Sequence, residues 1–113
     1  MIIRNYRDIE AQPVPDLPGA TIRWVISAPQ GAPNFAMRVI ELQPGAASPH
    51  HAHDWEHEMF ILSGKGTAWK EGKEVPIREG DTLLVPPNEE HEIINRSDGL
   101  LRFICLIPVQ SGN

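Results

Sequence analysis

Gly45-Ala-Ala-Ser-Pro-His50-His51-Ala-His53-Asp-Trp-Glu-His57-Glu-Met-Phe-Ile-Leu-Ser-Gly64 carries four of the five histidines in this 113-residue chain. The fifth, His91, lies in a second stretch, Gly80-Asp-Thr-Leu-Leu-Val-Pro86-Pro-Asn88-Glu-Glu-His91-Glu-Ile-Ile-Asn95. On an extended segment, residues two apart project from one face, so His51 and His53 share a direction. His57 keeps that parity and opens an apolar run ending at Gly64. His91 begins a later strand, after the rigid Pro86-Pro87 pair, and is expected to approach from another wall. His50 has the opposite parity and should point away. A single histidine is more often a surface or hydrogen-bonded residue than a ligand. Four in phase on strand-like sequence are different, because neutral imidazole donates well to transition metals near pH 7. The expected metal ligands are His51, His53, His57 and His91.

Outward from these stretches the chain reads as short strands. Eleven prolines and nine glycines interrupt it, and no long segment repeats at helical spacing. Strands are expected over 21–27, 35–42, 59–62, 67–70, 74–77, 82–85, 91–95 and 100–107. Turns are expected at Gln43–Ala46, Glu71–Lys73 and Ser97–Gly99, with a tight hairpin at Ser63-Gly64-Lys65-Gly66. Many short strands with frequent turns predict an all-β antiparallel sandwich or small barrel. Residues 1–20, rich in proline towards their end, read as an extended arm, and 21–113 as one domain. In the closing strand Phe103, Cys105 and Ile107 share one face and Arg102, Ile104 and Leu106 the other. Both faces are largely apolar, which predicts cover on each, one by the barrel interior and one by the arm or a second subunit.

The two quoted stretches resemble the paired motifs of the cupin superfamily. The first fits G-x5-H-x-H-x3-E-x6-G, with His57 where the family usually places glutamate. The second fits G-x5-P-x-G-x2-H-x3-N, with Asn88 in place of the glycine. The resemblance implies a jelly roll, the double-stranded β-helix barrel, and a subgroup of small single-domain cupins that bind metal through four histidines. It further implies manganese or iron as the ion, with nickel, zinc, cobalt or copper as alternatives, and a homodimer. Replacing glutamate by His57 removes a negative charge from the ligand set, leaving the ion a stronger Lewis acid. Four imidazoles on an octahedral ion leave two positions for substrate, whereas a tetrahedral zinc site would be closed and structural. A full barrel has no need of metal to fold, so the catalytic arrangement is expected.

Around the ligands, parity directs Glu56, Glu58, Glu90 and Glu92 off the metal face, with one or two available to orient an imidazole. Trp55 reads as packing or as a pocket rim, and Asn95 as a turn fixed by side-chain bonds to backbone. Arg38 shares a face with Ala36, Ile40 and Leu42, where it either clamps an anionic substrate or reaches solvent at the barrel mouth. Phe103 and Cys105 are candidate pocket residues. Cys105 is expected to be a buried, inert thiol, since no basic residue flanks it to lower its pKa.

Net charge is −5, and no basic patch or basic stripe with aromatics appears, which argues against a nucleic-acid partner. The single cysteine suits a reducing cytoplasm, and neither a signal peptide nor a membrane span is recognised. The expected function is a mononuclear metal-dependent oxidoreductase, dioxygenase-like, acting on a small oxygenated compound. The alternatives are a non-redox isomerase, decarboxylase or lyase, and a module that binds a small ligand without catalysis. One fold hosts all three.

Overall fold

Alternation decides which side of each strand is buried, and the last strand shows it most clearly. The computed structural model describes residues 1–109; residues 110–113, the end of the expected 21–113 domain, lie outside the described residues. Among the described residues nine strands run in order: β1 Gln12–Pro13, β2 Ala20–Ile26, β3 Phe35–Leu42, β4 His57–Ser63, β5 Lys65–Lys70, β6 Lys73–Arg78, β7 Thr82–Val85, β8 Glu92–Ile94 and β9 Leu101–Pro108. In β9, Leu101, Phe103, Cys105 and Ile107 are buried while Arg102, Ile104 and Leu106 between them are half-buried. Apolar residues at every second position fit a pleated surface with one face in the core.

Two antiparallel sheets form, one ordered β1-β2-β3-β9-β4-β7 and the other β6-β5-β8. Leu42, Ile61, Leu101 and Phe103 from the larger sheet join Ile77 and Ile93 from the smaller in one core. Each fully buried side chain of this size contributes roughly 1.5–3 kcal/mol. The chain is therefore an all-β antiparallel jelly roll. Register matters most across the larger sheet. Trp24 of β2 pairs with Arg38 of β3, Arg38 with Cys105 of β9, and Cys105 with Met59 of β4.

The hairpin expected at 63–66 does not form. β4 pairs with β7 and β9, whereas β5 pairs with β6 and β8, so Gly64 is the corner where the chain crosses between sheets. Its φ is +87°, and a Cβ there would sit 2.3 Å from the Leu100 carbonyl oxygen. Glycine marks a close backbone approach here, and the sequence signal for that is the same as for a hairpin. The segment carrying His51 and His53 is also not a regular strand; only His57 lies on one, at the start of β4.

Ahead of β2, β1 adds an edge strand, and Val14 and Leu17 pack against the core. Further out, the Arg23 side chain donates to the Ile9 carbonyl at 3.0 Å and pairs with Glu41 at 2.7 Å. Arg102 reaches the other oxygen of the same carboxylate at 2.6 Å. No helix among the described residues is long and apolar enough to cross a membrane.

Candidate metal centre

The site is assembled from two loops and one strand end, fastened to each other through the backbone. His51 and His91 exchange both main-chain hydrogen bonds, at 3.3 and 3.0 Å, which sets their side chains on one side of an isolated bridge. The carbonyl of His53 accepts from the Asn88 amide at 2.6 Å. Asn88 is left-handed, with φ +68°, and asparagine is among the few non-glycine residues that tolerate this region. That geometry accounts for an asparagine where the family motif has glycine. His57 is carried by β4 and is 5% exposed.

The ring-nitrogen donor atoms offered by His51, His53, His57 and His91 all lie within 4.8 Å of one another. His50 does not join them. It faces outward, with Glu90 and Glu92 each 3.0 Å from its ring nitrogens and Trp69 edge-on at 4.5 Å. The two carboxylates raise its pKa and account for Glu90 and Glu92 as surface partners rather than groups near the other histidines.

Three of the four rings are held at the nitrogen facing away from the cluster. His53 donates from Nδ1 to the Trp55 carbonyl at 3.0 Å, and its ring stacks on the Trp55 indole at 4.2 Å with the planes 2° apart. His91 donates from Nδ1 to the Glu89 carbonyl at 2.9 Å. A carbonyl can only accept, so in both rings the proton sits on Nδ1 and the Nε2 lone pair is free. His57 Nδ1 lies 2.9 Å from Cys105 Sγ, and its Nε2 faces His53 Nε2 at 2.5 Å. Burial, then the charge of Arg38, depresses the His57 pKa to about 3. Burial also lowers His51, with His91 and His53 next in effect, and burial lowers His53. These shifts favour the neutral form of His51, His53 and His57, the state a ligand needs. Four clustered imidazole donors, three of them oriented through an outer nitrogen, fit one divalent first-row ion.

Beside the cluster lies an interior cavity of about 120 Å³, walled by His51, His57, His91, Arg38, Phe103 and Cys105 among others. Arg38 is turned inward. One guanidinium nitrogen donates to Cys105 Sγ at 2.8 Å, and the group lies over the Trp24 ring at 5.3 Å. Its Nε is buried with no hydrogen-bond partner among the described residues. Phe103 and Cys105 are fully buried. The expectation that Cys105 lacks basic neighbours is overturned, because strand pairing brings Arg38 and His57 to it across 67 and 48 residues of chain. Burial still pushes its thiol pKa up, against the pull of Arg38, so it stays protonated.

Asn95 is fully buried, and its amide donates to the Leu42 and Gly99 carbonyls at 2.8 Å each while Ser97 donates to its Oδ1 through both the amide and the hydroxyl. Three groups went unrecognised in sequence: the carbonyls of Trp55 and Glu89, and Trp24 beneath Arg38. Carbonyl acceptors leave no residue-type signal, and the Trp24–Arg38 contact depends on the register of the β2–β3 pair, which no single stretch of sequence states.

A four-histidine cluster inside a two-sheet jelly roll is the signature of a metal-binding cupin, and the chain matches the Cupin domain family over residues 38–107. The chain belongs to that family. It is similar to the polyketide cyclase RemF of Streptomyces resistomycificus, with 27% identity and a TM-score of 0.91 over 96% of this chain and 80% of that one. A predicted oxalate decarboxylase of Thermotoga maritima is 26% identical, with a TM-score of 0.82 over 96% of this chain and 98% of that one. An oxalate-binding protein of Thermotoga maritima is 36% identical over 69 residues, 60% of this chain and 57% of that protein. The chain spans about half or less of the length of the curated relatives it matches.

Proposed function

We propose that this cupin is a mononuclear metal-dependent oxidoreductase, dioxygenase-like, that acts on a small anionic oxygenated compound. The ligands are His51, His53, His57 and His91, and the ion is manganese or iron. One observation carries the reading: three of the four clustered imidazoles, those of His51, His57 and His91, line the same cavity of about 120 Å³ as the inward Arg38 guanidinium. When bound, the ion supplies Lewis acidity and redox capacity. Arg38 holds the substrate's negative end, its unpartnered Nε offering a hydrogen bond that a carboxylate or enolate completes. Phe103 closes the wall and excludes water. A volume of about 120 Å³ is small beside the 300–1,000 Å³ of drug-sized sites, so the substrate is only a few heavy atoms across.

The redox assignment draws support from what lines the cavity. Among the described residues its walls include no carboxylate, lysine or tyrosine, and Ser48 is occupied accepting from the Ile93 amide at 2.8 Å. No lining side chain outside the proposed ligands is placed as a general base, which an isomerase would need. A non-redox reading keeps one specific support, the likeness to a polyketide cyclase and a predicted decarboxylase.

The test is metal analysis of protein purified without added metal, then oxygen uptake with short carboxylates after manganese or iron loading. Uptake should require the metal, and Arg38→Met should weaken carboxylate binding about 10- to 100-fold, the worth of a charge-assisted hydrogen bond of roughly 1.5–3 kcal/mol. Redox-inert zinc with no oxygen uptake would move the assignment to the non-redox class. Exposed Phe60 and Leu84, flanking half-buried Ile104 and Leu106 on the outer sheet face, further support a homodimer.

A further inference from the structure

Three of the clustered histidines have an outer nitrogen directed at an acceptor, but the three acceptors are not alike. His53 and His91 each use a carbonyl two residues away, so local backbone fixes their tautomers. His57 instead meets Cys105, 48 residues distant, and the same sulfur takes a hydrogen bond from Arg38. The contact follows from register. Arg38 stands directly opposite Cys105 across the β3–β9 pair, and Met59 stands opposite it across β4–β9. His57, two residues from Met59 on the same face of β4, is the diagonal neighbour within reach of a side chain.

We infer that Cys105 is a positioning residue that joins the two poles of the site, accepting from His57 Nδ1–H and from Arg38 at once. The inference rests on the metal-site reading above. A guanidinium can only donate, so Arg38 engages a sulfur lone pair. For His57 to present a lone pair from Nε2, which faces His53 Nε2, its proton must be on Nδ1, where Cys105 Sγ is the acceptor. Two consequences follow. His57 is locked in the ligating tautomer without a backbone carbonyl. Arg38 is anchored through its terminal nitrogen, leaving the buried Nε free for the cavity. Outer acceptors of this kind are worth 10- to 100-fold in metal affinity when removed.

The experiment measures zinc and manganese dissociation constants by chelator competition for wild type, Cys105→Ser and Cys105→Ala. Imidazole ¹⁵N shifts of the zinc-loaded proteins are recorded alongside. Cys105→Ala should weaken metal binding about tenfold or more, whereas Cys105→Ser, which keeps an acceptor, should recover most of that loss. A role in packing alone would not make serine better than alanine at an apolar contact. Wild type loaded with zinc should show His57 protonated at Nδ1 and bound through Nε2. Equal affinity in all three proteins, or serine no better than alanine, overturns the inference. So does His57 ligation through Nδ1 in wild type, a readout that needs no variant to fold. If wild type itself binds neither metal, it is the metal-site reading that fails.

Discussion

The metal-free protein should lose stability on mild acidification because of one buried ring. His57 is 5% exposed, and its pKa is held near 3 in the folded chain against about 6.5 when unfolded. Between those values the unfolded chain takes up a proton that the folded chain refuses. Stability from this group is therefore intact above pH 6.5 and falls as the pH drops towards 3. Going from pH 7 to pH 5 crosses about 1.5 pH steps below the unfolded value, at about 1.36 kcal/mol each, so His57 costs about 2 kcal/mol. His51 and His53 shift in the same direction and add to it. The perturbation is His57→Gln, a neutral side chain that removes this titration. Urea unfolding in chelator at pH 7 and pH 5 gives the difference. Wild type should lose about 2 kcal/mol more than the variant across that interval, whatever the variant's stability at pH 7. Parallel losses, within about 0.5 kcal/mol, would show that His57 is not held neutral by burial and Arg38.

Two further outcomes follow from the fold. Gly64→Ala forces a left-handed residue and a 2.3 Å approach to the Leu100 carbonyl, and should cost at least about 2 kcal/mol in a thermal or urea melt. Gly99→Ala meets nothing within 4 Å and should stay within about 0.5 kcal/mol of wild type; equal losses in the two would refute the corner assignment. On assembly, light scattering at micromolar concentration should give a dimer that Phe60→Lys or Leu84→Lys dissociates. A monomeric wild type would count against the proposed interface.

Much of the fold was legible because alternation and turn residues are local. The span 35–42 matches β3, and the paired parity of Phe103 and Cys105 matches their burial. The failures lie where local signals are ambiguous. Ser63-Gly64-Lys65-Gly66 reads as a hairpin because glycine serves a tight turn and a sheet-to-sheet corner equally. The segment 50–53 obeys strand parity without being a strand, since two backbone bonds to His91 keep His51 in place of a full ladder. The surroundings of Cys105 were invisible for a different reason: Arg38 and His57 reach it only through the order β3-β9-β4, and no window of sequence contains that order.

The same order explains how the site divides its work. The expected ligands His51, His53 and His91 sit outside regular strands, on segments tied to each other by main-chain bonds from His51, His91 and Asn88. Arg38, Cys105 and Phe103 sit on β3 and β9, deep in the larger sheet, where strand pairing fixes each residue's neighbours. His57 belongs to both sets, at the first residue of β4 with one nitrogen towards the cluster and the other towards Cys105. A rigid sheet thus presents the groups that would select an anionic substrate, and the two motif loops complete the donor set around it. Changes in the loops should then act first on metal retention, and changes in the row Trp24–Arg38–Cys105 on the choice of ligand, with Cys105 alone reaching into both through His57.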